Sequence, residues 1–269
     1  MILGLTAAGG FVAGRSAAPA GSSGAASAVP AGHGNHDVGG LLITQGGYTL
    51  ELQTTRLTVG EEAELTLRIT GPSGEAFTAF QRNHERFLHL VLVARDFGGY
   101  RHLHPVMDPD GTWRVSVTAP VPGAYRAFAD FVPEGGQLPV TLGADLLVAG
   151  VYEPAAPTTA DEATVLVDGY TVTLDGGLRP GEASQILVWL GRDGSPVPDL
   201  ERYLGSYGHL VALRHGDLGY LHVHPAPATA PSSVVAFAIQ VPSAGTYQLF
   251  FEFQHAGVVR TAEFTLAAY

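Results

Sequence analysis

Two stretches of equal length decide the fold, HLVLVARDFGGYRHLHP at residues 89–105 and HLVALRHGDLGYLHVHP at residues 209–225. They align without a gap, and histidines recur at the same places in both, in the pattern His-x12-His-x-His. The match continues into PVPGAYRAFADF at residues 120–131 and VPSAGTYQLFFEF at residues 241–253. Self-similarity over whole segments of this length indicates two copies of one domain.

The composition favours strands over helices. Hydrophobic residues make up 46% of the chain and charged residues 14%, with 35 glycines and 18 prolines, as expected for short strands joined by tight turns. We therefore predict an all-β fold with two tandem immunoglobulin-like β-sandwich domains at residues 41–150 and 163–269, each of about 110 residues. Residues 151–162, VYEPAAPTTADE, form the predicted linker. Tyr125 and Tyr247 resemble the structural tyrosine of the penultimate strand in such sandwiches.

The N-terminal segment has a composition that cannot pack a core. Residues 1–40 are predicted to be an export signal or membrane anchor followed by a flexible tail with His33 and His36. This predicts an extracytoplasmic protein, secreted or membrane-anchored, that meets the membrane only through this segment. The other interpretation is a disordered tail of biased composition.

Charge and cysteine content exclude several classes of site. The chain has 14 basic and 25 acidic residues, a net charge of −11, and no basic patch, so nucleic acid is not an expected partner. Because cysteine is absent, disulfides, thiolate metal sites and cysteine nucleophiles are excluded.

The first copy of the repeat predicts a β-hairpin that gathers its histidines. A turn with residues 96 and 97 at its tip places His89 opposite His104, and opposed residues share a face. His102 lies two residues from His104 and therefore points to the same side. Three imidazoles are predicted to form one patch.

The second copy gives the same prediction. A turn centred on residues 216 and 217 joins a predicted strand at residues 210–214 to one at residues 220–224. It places His209 opposite His224, with His222 on the same face.

Imidazole triads of this kind suit a divalent copper or zinc ion, for which neutral histidine nitrogen is a preferred ligand. A fourth ligand is expected from Asp130 in the first copy and from Glu252 in the second, which occupy matching places in FADF and FFEF. The predicted metal ligands are therefore His89, His102, His104, His209, His222, His224, Asp130 and Glu252.

Two other interpretations stay open. The histidines are structural in the first, with Asp130 and Glu252 fixing their tautomers, and the chain is then a structural or adhesive immunoglobulin-like module. In the second, His102, His104 and Asp108 loosely match the His-x-His-x3-acid pattern of cupins, which would make the chain a bicupin-like metalloenzyme. The second copy lacks the acid, and no nucleophile elbow or phosphate loop is present, so we predict a protein that is not an enzyme.

The leader, the segment AGHGNHD at residues 31–37 and both histidine motifs together resemble a group of actinobacterial secreted or membrane-anchored heavy-metal-binding proteins, with domains similar to YtkA-like sandwiches. This resemblance implies an association with extracytoplasmic metal, chiefly copper. It also implies a copper-handling protein outside the cytoplasm as a partner.

Overall fold

The computed structural model describes residues 38–154, 163–221 and 223–269, and for His224 the main chain alone. Every regular element in these ranges is a β-strand, and the strands form two repeated sandwiches, which confirms the predicted all-β, tandem immunoglobulin-like fold. The predicted leader and the tail histidines His33 and His36 lie outside the described residues. No helix in the described ranges is long and apolar enough to cross a membrane.

The first sandwich consists of two sheets with strand orders β1-β2-β4-β9-β8 and β3-β11-β10-β6-β7, and β5 joins the second sheet through β10. Strand β3 runs parallel to β11, while the other pairs are antiparallel. Its strands are β1 (Thr44–Gln45), β2 (Tyr48–Leu52), β3 (Arg56–Thr58), β4 (Glu62–Thr70), β5 (Phe80–Gln81), β6 (His89–Ala94), β7 (Arg101–Leu103), β8 (Val106–Met107), β9 (Thr112–Thr118), β10 (Gly123–Pro133) and β11 (Val140–Ala149).

The second sandwich repeats this plan, with strand orders β12-β13-β14-β19-β18 and β17-β16-β20-β21, and β15 paired with β14. Its strands are β12 (Thr164–Val167), β13 (Tyr170–Asp175), β14 (Ala183–Arg192), β15 (Ser195–Pro196), β16 (His209–Arg214), β17 (Tyr220–Leu221), β18 (His224–Pro225), β19 (Val234–Gln240), β20 (Gly245–His255) and β21 (Val258–Ala268). Several of these strands have only two residues, which is too short for a sequence to show alternation.

Each sandwich carries a tyrosine that ties its penultimate strand to the preceding loop. The hydroxyl of Tyr125 donates to the carbonyl of Val121 at 2.9 Å, and that of Tyr247 donates to the carbonyl of Ser243 at 2.8 Å. Both tyrosines are at most 1% exposed. The prediction that they are structural is confirmed by these bonds.

The hairpin of the first repeat has the predicted register. Strands β6 and β7 pair Leu90 with Leu103 and Val91 with His102, so the next opposed pair is His89 and His104.

The hairpin of the second repeat follows its predicted register as far as it is formed, with Ala212 paired with Leu221 and Leu213 with Tyr220. Strand β17 ends at Leu221, and His224 pairs with Ala238 of β19 in the opposite sheet. The first copy also changes sheet after its hairpin, where Val106 and Met107 pair with β9, and the placement of His224 opposite His209 stays a prediction.

The two sandwiches pack against each other through the sheets that contain β6 and β16. Along β6, Leu90 and Leu92 enter the core of their own sandwich, whereas Val91 and Val93 face the other repeat. Tyr100 stacks on Phe250 with ring centroids 4.0 Å apart. The buried apolar residues of this interface are Val91, Val93, Tyr100, Phe128, Val211, Leu213, Leu218, Tyr220 and Phe250. Burial of such side chains stabilises by about 1.5 to 3 kcal/mol each, so the interface is a third core.

The segment at residues 38–41 binds both repeats. Gly39 exchanges two main-chain hydrogen bonds with Tyr220 of the second repeat, at 2.7 and 3.0 Å. The buried guanidinium of Arg126 in the first repeat donates to the carbonyls of Gly40 and Leu41. Because main-chain bonds hold this segment on both sides, it fastens the edge of the interface.

Candidate metal centre

The first repeat brings His89, His102 and His104 together on the sheet face that is turned toward the second repeat. Their ring centroids lie 4.7 to 5.2 Å apart. Each ring offers a nitrogen, and these nitrogens lie within 4.8 Å of one another. The alternation of β6 and β7 produces this face, because His89, Val91 and Val93 share one side and Leu90 and Leu92 the other.

A tight turn fixes the imidazole of His89. The main chain of Asn83 exchanges two hydrogen bonds with Arg86, and the residues between them, His84 and Glu85, both have positive φ, as in type I′ turns. The carbonyl of Asn83 lies 2.9 Å from Nε2 of His89. Since a carbonyl only accepts, Nε2 carries a hydrogen, and in the neutral ring Nδ1 presents a lone pair.

Glu252 of the second repeat binds the ring of His102. Its Nδ1 lies 2.5 Å from Oε2 of Glu252, and both side chains are almost fully buried, 4% and 6% exposed. Its Nε2 lies 3.0 Å from Nδ1 of His89. Because a carboxylate only accepts, Nδ1 of His102 carries a hydrogen, and Nε2, which is the lone-pair nitrogen in the neutral ring, is directed at the first ring of the cluster.

His104 completes the cluster. Its Nε2 is buried and has no hydrogen-bond partner among the described residues. Burial, reinforced by His102 and His89, lowers the pKa of His104 to about 2. Burial and the neighbouring His102 also lower the pKa of His89 to about 4. Both rings are therefore neutral at physiological pH and offer lone pairs.

The geometry of the cluster fits a metal ion after a small movement. Nitrogens that lie 2.0 to 2.1 Å from one ion are at most about 4.2 Å apart, and the three here lie within 4.8 Å. Ligating histidines usually donate their other N–H to a carbonyl or a carboxylate, and His89 and His102 do so to Asn83 and Glu252. Three imidazoles are a donor set that borderline divalent ions such as copper and zinc prefer.

The two acidic residues predicted as ligands occupy matching positions but have different contacts. Asp130 is the cross-strand partner of His89, and its Oδ1 accepts a hydrogen bond from the Thr141 hydroxyl at 2.6 Å. Glu252 is the cross-strand partner of His209, yet its carboxylate binds His102 of the other repeat. Neither acid belongs to the converging group of potential ligands. Glu252 thus contacts the triad of the first repeat, and its predicted role as a ligand in the second repeat stays a prediction.

His209 has the same anchor as His89 in the second repeat. Its Nε2 lies 2.8 Å from the carbonyl of Tyr203 and 3.1 Å from the hydroxyl of Ser206. Burial lowers the pKa of His209 to about 4. His222 lies outside the described residues, as does the side chain of His224. The second triad remains a prediction.

The cluster is reached from outside through a groove of about 490 Å³ on the first repeat. His104 lies in its lining, together with Glu85, Phe87, Met107 and Trp113. Of the three rings, only that of His104 lines this groove.

The acid of the cupin-like pattern does not join the histidines. Asp108 accepts a hydrogen bond from Nε of Arg114 at 2.6 Å, on the sheet that contains β8 and β9. The observed strand order is that of an immunoglobulin-like sandwich. The resemblance to cupins is therefore limited to the spacing of His102, His104 and Asp108.

Sequence reasoning missed Asn83, His84 and Tyr203, which lie in the turns before β6 and β16. The second copy has leucine, Leu204, at the place of His84, so the repeated histidine pattern does not include His84. The signal for the interface was present in the segment HLVLVA of β6, which lacks the alternation of a half-exposed strand. Continuous apolar runs are typical of strands buried on both faces.

Comparison with known proteins gives a family and a set of distant folds. The family described as "Domain of unknown function (DUF8832)" matches residues 43–145 and 163–269. No curated protein matches the chain. Among solved structures, the adhesin FdeC of Escherichia coli is 14% identical, covers 84% of this chain and has a TM-score of 0.29. InvD of Yersinia pseudotuberculosis is 9% identical, covers 84% and has a TM-score of 0.28. The chain spans 65% and 58% of these two structures.

Proposed function

We propose that the chain, which belongs to the DUF8832 family through both of its repeats, binds a divalent copper or zinc ion at His89, His102 and His104. The predicted leader makes this an extracytoplasmic activity. Its role is to store, deliver or detoxify the ion, with an extracytoplasmic copper-handling protein as the partner. Binding, not catalysis, is the activity, and the histidines of the second repeat are expected to add to it.

One observation carries the proposal. Two of the three rings have one nitrogen held by an acceptor, the carbonyl of Asn83 and the carboxylate of Glu252, and the other nitrogen turned inward. The third ring, His104, has a buried nitrogen without a hydrogen-bond partner in the described ranges. Burying a polar atom without a partner costs about 1 to 3 kcal/mol, and an ion at this point would remove that cost.

The test is retention of metal by purified protein. The protein is loaded with Cu²⁺ or, in parallel, with Zn²⁺, and is then desalted. We expect the wild-type chain to retain the ion and His104→Ala to lose it from this cluster. His104 makes no described hydrogen bond through Nε2, so the variant leaves no partner unsatisfied and is expected to fold. His255→Ala is the matched control, because His255 binds Tyr170 and Asp199 within the second sandwich. Absence of either ion from the wild type would refute the proposal.

A second candidate function is structural. Without an ion, both nitrogens of His89 and of His102 already have hydrogen-bonding partners, and the contact between His102 and Glu252 joins the two repeats. A tandem module that transmits force or adheres to a surface needs such a joint. In that case His102→Ala lowers the stability of the metal-free protein, and neither wild type nor variant retains metal after desalting.

A further inference from the structure

We propose that the groove lined by His104 and Arg86 binds a small organic carboxylate, which lies beside the metal ion and completes its coordination. The ligand class is a carboxylate on an apolar body, such as an aromatic acid. The inference rests on the proposed function, because the carboxylate binds most tightly when the ion is present. It adds to that function an anion that the site takes together with the metal.

The groove has the size and the walls of a small-molecule site. Its volume is about 490 Å³, within the range of about 300 to 1,000 Å³ that such sites occupy. Its apolar lining includes Phe87, Val106 and Met107, and the first two are 41% and 72% exposed. Large apolar side chains exposed together in a groove mark a binding surface. These walls suit a ligand with an apolar body.

The polar groups of the groove that lack partners are hydrogen-bond donors. The guanidinium of Arg86 lines the groove and makes no hydrogen bond or ion pair with any described residue. The indole Nε1 of Trp113 is buried in a residue that is 2% exposed, and it has no partner in the described ranges either. Since a guanidinium and an indole N–H only donate, a ligand that satisfies them must accept. A carboxylate is the acceptor that matches the paired donors of arginine.

The acidic side chain of the lining does not occupy Arg86. The carboxylate of Glu85 is directed toward the second repeat, where its Oε1 lies 3.6 Å from the position that a β-carbon on Gly205 would take. Glu85 and Arg86 form no ion pair among the described residues. The positive charge of Arg86 is therefore available to a ligand.

Arg86 also lies near the histidine cluster. The pKa of His104 is lowered first by burial, then by His102 and His89, and then by the charge of Arg86. Burial and then Glu252 raise the pKa of Tyr203 to about 12, and the charge of Arg86 acts against them. The ring centroid of Tyr203 lies 6.2 Å from that of His104. A carboxylate bound to Arg86 would thus lie on the side of the cluster where His104 is.

A metal ion in the cluster adds to the attraction for an anion. Three neutral imidazoles do not compensate the two positive charges of the ion, and Glu252 offsets one of them through His102. In a buried site of low dielectric the remaining charge attracts an anion strongly. Metal sites with three histidine ligands keep a fourth position for an exchangeable ligand.

The second repeat separates the structural arginine of this groove from the free one. Arg82 and its counterpart Arg202 both donate to the carbonyl three residues further on, and both lie over an aromatic ring. The place of Arg86 is taken by Ser206, whose hydroxyl donates to the carbonyl of Gly208. The fold of the turn therefore uses the first arginine and does not need the second.

The second repeat likewise shows that the indole is not needed for packing. Its matching groove has a volume of about 420 Å³, and Val235 stands in its lining at the place of Trp113. Val235 belongs to the core of the second sandwich. The two unpaired donors are thus found together in the groove that also contains His104 of the proposed metal site.

The test uses benzoate as the probe on the full chain loaded with Cu²⁺ and desalted, with affinity measured by isothermal titration calorimetry per bound ion. Wild type is expected to bind benzoate about tenfold more tightly than acetate, which has almost no apolar body. Arg86→Gln is expected to weaken benzoate binding about tenfold, because it removes a charge-assisted hydrogen bond. The electron paramagnetic resonance of the bound copper should shift when benzoate is added to the wild type.

Arg56→Gln is the matched control. Arg56 is an exposed arginine on β3, at the other edge of the sheet that contains β7, and its side chain has no partner among the described residues. The same substitution there removes the same charge far along the sheet from the groove. Its benzoate affinity should equal that of the wild type.

The outcomes separate the two proposals. No copper in the wild type overturns the proposed function and, with it, this inference. Retained copper with no benzoate binding, or with an equal affinity in Arg86→Gln, overturns the inference and leaves the proposed function standing. An unchanged copper spectrum overturns the position beside the ion, and equal affinities for acetate and benzoate overturn the apolar body. Binding of the dipeptide N-acetyl-Gly-Phe without binding of benzoate overturns the small-molecule class in favour of a peptide terminus.

Discussion

Glu252 acts on the first cluster although it belongs to the second repeat. Its carboxylate holds Nδ1 of His102 at 2.5 Å, which turns Nε2 of that ring toward His89. A carboxylate in this position fixes the orientation of a ligand ring and raises its basicity. Glu252 is thus a positioning residue for the proposed site.

Glu252→Gln is expected to weaken binding of the metal ion at His89, His102 and His104 by about 10- to 100-fold, the usual effect of losing such a partner. The amide keeps an acceptor near His102 but removes the charge. Competition titration with a chromophoric chelator measures the affinity, and the copper spectrum reports the number of nitrogen ligands. Glu201→Gln is the control, because Glu201 binds Gln254 and the main chain of Gly257. An unchanged affinity in Glu252→Gln would show that the carboxylate does not position His102.

Acid is expected to destabilise the metal-free protein through His209. Burial lowers its folded-state pKa to about 4 from 6.5, so between these values the unfolded chain binds more protons. Stability that is present above pH 6.5 is lost as the pH falls toward 4, by on the order of 3 kcal/mol at most. Urea unfolding with a chelator, at pH 7 and at pH 4, measures the loss. The loss of stability should be smaller in His209→Gln, because glutamine does not titrate and can still donate to the carbonyl of Tyr203. An equal loss in this variant would show that His209 does not cause it.

At the scale of the element, both hairpins have the register that their turns predict, and main-chain bonds from Arg214 to Gly219 and from Leu218 to Arg214 close the turn of the second copy. The hairpin of β6 and β7 follows its predicted register because the turn before Gly98 is closed by main-chain bonds between Ala94 and Gly98 and between Ala94 and Phe97. In both copies the chain leaves the sheet after the hairpin, and Pro225 of the second copy pairs in an edge strand. Proline is tolerated at such an edge. No local pattern marks the residue at which the chain changes sheet.

The tyrosine that ties β10 to its preceding loop gives a prediction at this scale. Tyr125→Phe removes the bond to the Val121 carbonyl and is expected to lower the free energy of unfolding by about 1 kcal/mol, without changing metal retention. Tyr247→Phe should cost a similar amount, because its bond is equivalent. Tyr152→Phe is the control, since its hydroxyl bonds Asp96 at an exposed place. Denaturant titration compares the three, and a loss near zero for Tyr125→Phe would contradict the structural role.

At the scale of the whole molecule, the two repeats form one unit around a shared interface. The sequence predicted the sandwiches and the cluster of His89, His102 and His104, because both follow from local periodicity. It could not predict that Glu252 would reach His102, since that contact depends on how two complete domains pack. The relation between the repeats is approximately two-fold: Tyr100 packs on Phe250, and Tyr220 packs on Phe128.

This packing predicts that the interface controls metal affinity. Phe250 lies two residues before Glu252 on the same face of β20, so Phe250→Ala removes the stacking partner of Tyr100 and loosens the strand that carries the carboxylate. We expect a loss of stability of about 3 to 5 kcal/mol and weaker binding at the first cluster.

Phe237→Ala is the matched control for Phe250→Ala. Phe237 is a buried phenylalanine in the second repeat's own core, so the same truncation should lower stability comparably and leave the affinity unchanged in the folded protein. Chelator competition below the unfolding temperature of both variants makes the comparison. If Phe250→Ala binds the ion as tightly as Phe237→Ala, the second repeat does not hold His102, and the first repeat would bind metal by itself.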